Sequence, residues 1–182
     1  MMKFSHIVIV FITFFASAGM AVSQTSSGTQ EYGDGGAYEG EFLNGLPHGN
    51  GTYELPNGYR YVGEWFEGEI NGQGEALFPN GSVYIGSFVK GKPEGSGKIT
   101  FTDGGTYEGE WANGSITGEG YAKYANGTTY QGTFLDAMHD GKGIMKSPDG
   151  YIYDGTWENG VKQGKATVTY PCLLYTSDAA DE

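Results

Sequence analysis

Basic residues are scarce in this chain: ten Lys and Arg stand against 22 Asp and Glu, a formal net charge of −12. Binding nucleic acid requires a basic stripe that neutralises phosphates, and the few cations here are scattered, so that class of partner is excluded. There is a single cysteine, Cys172, which rules out an intrachain disulfide framework and any thiolate cluster for a metal. Histidine is nearly as rare. His48 and His139 have no ligand spacing between them and no nucleophile beside them, so both read as solvated loop residues. A long apolar run occurs only once, at the N-terminus.

What the chain has in excess is glycine, 33 of 182 residues, against a usual share of about 7%. These glycines are not a flexible tract, because most fall at fixed offsets in a 23-residue repeat that opens on Tyr-x-Gly-x-(Trp/Phe) and recurs six times in register. The opening pairs are Tyr38 and Phe42, Tyr61 and Trp65, Tyr84 and Phe88, Tyr107 and Trp111, Tyr130 and Phe134, and Tyr153 and Trp157. A unit this short cannot bury its own apolar face and has to lean on its neighbours, so the repeats must stack. With 38% apolar residues, 14 Tyr, 10 Phe and 3 Trp, the chain has enough burial for an ordered array.

Within a unit the periodicity is that of strands. In Tyr107-Glu108-Gly109-Glu110-Trp111 the rings and the Gly point to one side and the carboxylates to the other. Asn113-Gly114 and Gly118-x-Gly120 then offer positive-φ positions for a turn, a second strand runs from Tyr121 to Tyr124, and Asn126-Gly127 reverses the chain again. The expected fold is all-β: a single-layer antiparallel sheet of tandem β-hairpins, an elongated solenoid-like ribbon advancing roughly 10 Å per repeat. The missing Cβ at each central Gly leaves room for the aromatic side chains to form columns across the sheet.

The two ends differ from the array. Lys3, the apolar run from Ile7 to Phe15 and the small residues Ala16-Ser17-Ala18 make residues 1–23 a signal peptide or, uncleaved, an N-terminal anchor, although the run is short of the roughly 20 residues that span a bilayer. Residues 24–37 form a polar leader and a half-repeat around Tyr32 and Asp34-Gly35, and residues 38–171 hold the six repeats. At Cys172 the register breaks, and residues 172–182, CLLYTSDAADE, resemble translated sequencing-adapter sequence, so the natural chain is expected to continue past Pro171.

The six units resemble MORN repeats, whose Tyr, Gly, aromatic, Gly, G-x-G, aromatic and N-G pattern is matched across residues 38–171. Departures are Ala137 at the first turn, Leu55 and Ser147 at the second aromatic position and Ala166 in place of the last Gly. The resemblance implies the hairpin ribbon. It also implies binding of phospholipid, which an acidic ribbon disfavours on anionic headgroups, and a place as the accessory region of a larger lipid kinase-like or methyltransferase-like enzyme.

The residues themselves carry no catalytic constellation. Residues 91–98 have Lys92 where a phosphate loop needs its first Gly, and Ile99 where it needs Ser or Thr. The acids Glu39, Glu41, Glu64, Glu108 and Glu110 read as a solvated sheet face rather than an acid and base pair. The chain is therefore expected to be no enzyme and to need no cofactor or metal. It reads as a secreted, periplasmic or envelope-associated scaffold that binds protein partners, or itself, along a face or the edges of the sheet. The aromatic columns are candidates for either core or recognition surface.

Overall fold

In the computed structural model residues 25–171 are described, and the segments read as a signal peptide or anchor, 1–23, and as adapter-like sequence, 172–182, lie outside them. The first strand, β1, is Thr25–Glu31, a regular strand where the sequence reads as a polar leader. Six hairpins follow: β2 Ala37–Leu43 with β3 Leu46–Glu54, β4 Arg60–Phe66 with β5 Glu69–Leu77, β6 Val83–Val89 with β7 Lys92–Thr100, β8 Thr106–Ala112 with β9 Ser115–Lys123, β10 Thr129–Leu135 with β11 Met138–Lys146, and β12 Ile152–Glu158 with β13 Val161–Thr169. All 13 strands lie in one antiparallel sheet in chain order, with no helix among the described residues.

Two kinds of turn alternate along the ribbon. Inside each hairpin the turn has two residues, both at positive φ: Asn44-Gly45, Glu67-Gly68, Lys90-Gly91, Asn113-Gly114, Asp136-Ala137 and Asn159-Gly160. This is the type I′ geometry that matches the twist of the flanking strands. Between hairpins a type I turn ends on a left-handed Gly, as where Gly127 N–H donates to Tyr124 O at 2.9 Å and Thr128 N–H to Asn126 Oδ1 at 2.9 Å. Ala137 holds φ +63° where the other five units have Gly, and an L side chain there costs about 1 kcal/mol. Ala137→Gly is thus expected to stabilise the protein by about 1 kcal/mol in urea unfolding, and an unchanged midpoint would mean that the turn carries no such strain.

The second strand of each unit is longer than the sequence suggests. The Gly-x-Gly segment read as part of a turn lies inside the strand, where β9 already begins at Ser115. Only its first Gly is left-handed, as at Gly118 (φ +62°) and Gly49 (φ +63°). The ladder shows why. Gly40 pairs with Gly51 and Phe42 with Pro47, so residues 48–50 face Glu41 alone, a bulge that recurs in every hairpin. Between hairpins the register is unbroken, as from Gly49 opposite Trp65 to Glu54 opposite Arg60.

The second Gly of the segment has a different task. Gly40, Gly51, Gly63, Gly74, Gly86, Gly97, Gly109 and Gly120 are paired in turn across eight strands, one glycine per strand. The Tyr rings lie over this row on one side of the sheet, so closely that a Cβ at Gly51 would meet Tyr38 and one at Gly97 would meet Tyr84. The other side of the row is an open trough.

Candidate interaction surface

The two faces of the ribbon differ in kind. On the front face Tyr38, Tyr61, Tyr84, Tyr107, Tyr130 and Tyr153 are buried, as are Trp65, Phe88, Trp111, Phe134 and Trp157, and Phe42 packs partly buried against them. From Trp65 on, each indole or phenyl ring stands edge-on to the Tyr of its own unit and to that of the unit before. Trp111, for instance, lies 4.9 Å from the Tyr84 centroid and 5.7 Å from that of Tyr107. The single layer therefore makes its core out of one face.

Every one of the six Tyr hydroxyls donates to the backbone carbonyl three residues on, at 2.7–3.1 Å, which ties each ring to the strand edge facing the bulge. Burial pushes the hydroxyls of Tyr84, Tyr107 and Tyr130 up to about 12 and raises that of Tyr61 further. An unfolded Tyr ionises near 10, so above that pH the unfolded chain binds fewer protons than the folded one and stability falls as pH rises. The stabilisation is complete below about pH 10 and is lost between there and about pH 12. We expect the phenolate absorbance of these residues to appear in one cooperative step with loss of the sheet signal above about pH 10; phenolate formation in a sheet that stays intact to pH 12 would contradict this.

His48 and His139 lie in strands rather than in loops. His139 lies in β11 on the front face, stacked on Tyr130 at 3.7 Å with Nε2 2.6 Å from the Tyr124 hydroxyl, and burial pushes its pKa down. The same position in the last unit is Lys162, with its ammonium 4.6 Å from the Tyr153 ring and 4.7 Å from that of Tyr151, and this cation covers the aromatic column. His48, one position later in its own unit, faces the other way, with its ring 5.4 Å from Phe66. No three His, Cys, Asp or Glu side chains converge on a metal-sized site among the described residues.

The acids have a partner the sequence hid. Glu41 accepts the Asn50 N–H at 3.1 Å and Glu64 the Gln73 N–H at 2.7 Å, so each carboxylate closes the backbone bulge opposite it. In the fifth and sixth units Thr133 and Thr156 span the same bulge by donating their hydroxyls to Lys142 O at 3.2 Å and Gln163 O at 2.5 Å. Glu108 instead faces Lys98 at 3.7 Å on the exposed side of the sheet.

That exposed side, the back face, is where unspent apolar surface collects. Of fourteen large apolar residues left exposed among the described ones, ten are on it. Leu46, Phe66, Val89, Leu135, Met138 and Val161 lie beside the type I′ turns in a row interrupted by Glu69, Lys92, Ser115 and Glu158, and Val62, Leu77, Ile85 and Tyr121 lie further in, across the trough. No signal in the sequence marks this row, because the residue type changes from unit to unit while the place does not.

A family model of the MORN repeat matches residues 38–58, 61–83, 84–106, 107–129, 130–150 and 153–171. No curated protein matches the chain. Among solved structures the chain is similar to the TCP domain of SAS-4 (dCPAP) of Drosophila melanogaster, in complex with a proline-rich motif of Ana2 (dSTIL). That match has 10% identity and a TM-score of 0.47 and covers 88% of this chain and 97% of that one. It is similar also to the wild-type TCP10 domain of Danio rerio CPAP, in complex with a peptide of Danio rerio STIL. Here the identity is 16% and the TM-score 0.46, with 83% of this chain and 71% of that one covered.

Proposed function

The chain belongs to the MORN-repeat family, and from that premise we propose that it is a non-enzymatic scaffold, secreted or held at the cell envelope, that binds protein partners on the back face of its sheet. The observation that carries this reading is the segregation of ten of fourteen exposed large apolar residues onto one face. Exposed apolar surface gathered on one face of a folded domain points to an interaction site, and the charges interspersed with it supply register. The front face has spent its rings on the core and offers little beyond its margins. Secretion is supported by the signal-like residues 1–23.

The test is affinity capture from the extracellular and envelope fractions of the source cells, using the chain and its Ile85→Lys and Val62→Lys variants. Both positions are exposed, so the variants should keep the circular dichroism of the parent. Proteins retained by the parent and lost by the variants are the expected result. Retention of the same proteins by all three, or of none, would overturn the back-face reading, and a mature N-terminus at Met1 would overturn secretion by cleavage.

A further inference from the structure

Four of the chain's Asn-Gly pairs are followed by a hydroxyl residue: Asn50-Gly51-Thr52, Asn80-Gly81-Ser82, Asn113-Gly114-Ser115 and Asn126-Gly127-Thr128. This is the Asn-x-Ser/Thr pattern that accepts an N-linked sugar in a secreted chain. The turns themselves do not demand it. Between hairpins the repeat needs only Asn or Asp and then Gly, and where Ser82 and Thr128 stand the other units close the same turn with Gly36, Tyr59, Gly105 and Tyr151. After the type I′ turns the place of Ser115 is taken by Leu46, Glu69, Lys92, Met138 and Val161. The hydroxyl is an addition to the turn chemistry and not a part of it.

We propose that Asn80, Asn113 and Asn126 are N-glycosylation sites. The proposal rests on the secretion half of the scaffold reading, since the sugar is transferred during export. In the reaction Nδ2 bonds to C1 of the first sugar of a lipid-phosphate-linked oligosaccharide, while the bond from C1 to the phosphate oxygen breaks. The lipid phosphate leaves with that electron pair, and the amide proton passes to a base of the transferase. Nothing is oxidised or reduced.

The fold accommodates the product at all three places, where the Asn is exposed. In the type I turns Asn80 Oδ1 accepts the Ser82 N–H at 3.0 Å and Asn126 Oδ1 the Thr128 N–H at 2.9 Å. The turn thus uses the carbonyl of each amide, and a sugar on Nδ2 leaves that bond intact. The turn at Asn113 is held through the backbone: its N–H donates to Glu94 Oε2 at 2.8 Å and that of Gly114 to Pro93 O at 2.9 Å. Ser82 is only 3% exposed, so its hydroxyl is out of reach of a transferase once β5 and β6 have paired. Transfer therefore precedes folding, as it does on a chain still being translocated.

The positions also suit the scaffold. Asn80 and Asn126 lie on one edge, four strands or about 19 Å apart, and Asn113 lies on the opposite edge between them. Sugars at the turns stand beside the sheet and leave the back face open. Asn50 differs, because it lies within β3 on the back face, where Glu41 holds its N–H at 3.1 Å. A sugar there would cover the surface assigned to partners, and Asn50 is not among the three.

The test is mass spectrometry of the chain isolated from its source cells, with peptides weighed before and after peptide N-glycosidase in heavy-oxygen water, which labels each Asn that carried a sugar. A parallel digest without the enzyme subtracts the spontaneous deamidation to which Asn-Gly is prone. Enzyme-dependent label is expected at Asn80, Asn113 and Asn126. Expressed in the same cells, Asn80→Asp, Asn113→Asp and Asn126→Asp should each lower the mass of the intact chain by one glycan. Asp already stands at these turn positions in other units, at Asp103, Asp136 and Asp149, so the variants keep the fold. A chain found in the extracellular or envelope fraction with any of the three Asn bare would overturn the assignment at that residue and leave secretion standing. A chain confined to the cytosol would overturn secretion and all three sites with it. The capture experiment with Ile85→Lys and Val62→Lys reads the back face in either case, so failure of the sugar sites and failure of the scaffold reading are told apart.

Discussion

Replacing Trp111 by Ala is expected to destabilise the ribbon by about 3–5 kcal/mol, the range for removing a large buried aromatic side chain. The indole is 7% exposed, wedged between Tyr84 and Tyr107, and its Nε1 donates to Gly97 O at 3.3 Å across the hairpin junction. Its loss opens a void in the middle of a column and leaves a carbonyl without its donor, while neighbours on both sides prevent collapse. Exchanging Glu108 and Glu110 for Gln on the opposite face should change stability by less than about 0.5 kcal/mol. Urea unfolding of the two variants separates the faces. A stable Trp111→Ala protein that has lost a partner would make the front face, rather than the back, the recognition surface.

Gly97→Ala is expected to cost about 3 kcal/mol although it adds a single methyl group, because overpacking a filled core forces its neighbours apart. A Cβ there meets the ring and hydroxyl of Tyr84, and Tyr84 has nowhere to go: Phe88 and Trp111 hold it at 5.0 and 4.9 Å, and its hydroxyl is bound to Ser87 O at 3.1 Å. The last unit shows the limit of this argument. It carries Ala166 at the equivalent place, and there the ladder loses its pairing between Asp154 and Thr156. β13 has a described neighbour on one side only and can give way, whereas Gly97 is paired with Gly86 and Gly109 on both. Gly33→Ala, with nothing within 4 Å of the new methyl, is the control and should stay within about 0.5 kcal/mol. Equal effects at both glycines would show that backbone entropy, and not the Tyr cradle, sets the cost.

The repeat spacing made the hairpins, their chain order and the buried side of Tyr107 and Trp111 legible before any coordinates. It misplaced the start of β9, because a left-handed Gly marks a bulge as well as it marks a turn, and only the pairing of Gly109 with Gly120 and Glu110 with Thr117 tells the two apart. Glu64 looked solvated for the same reason: its backbone partner, Gln73 N–H, is nine residues away and comes within reach only once the bulge exists. His139 was read by its neighbours in sequence, none of which is aromatic, whereas its neighbours in space include Tyr124, Tyr130 and Trp157. The apolar row of the back face was invisible to a search for repeated residue types, since Phe66, Val89 and Leu135 share a place and not an identity.

The hairpin turns also have a direction. Gly68 N–H donates to Pro47 O, Gly91 to Ile70, Gly114 to Pro93, Ala137 to Ile116 and Gly160 to His139, so each turn after the first is held by a carbonyl of the unit before it and by none of the unit after. A chain leaving the ribosome N-terminus first thus meets, at every step, an acceptor that is already in place. Shortening the array from its C-terminal side strips away donors together with the turns that own them, but removing an early unit orphans the N–H of the next. Assembly is in this sense one-way, like courses of brick laid from a single footing.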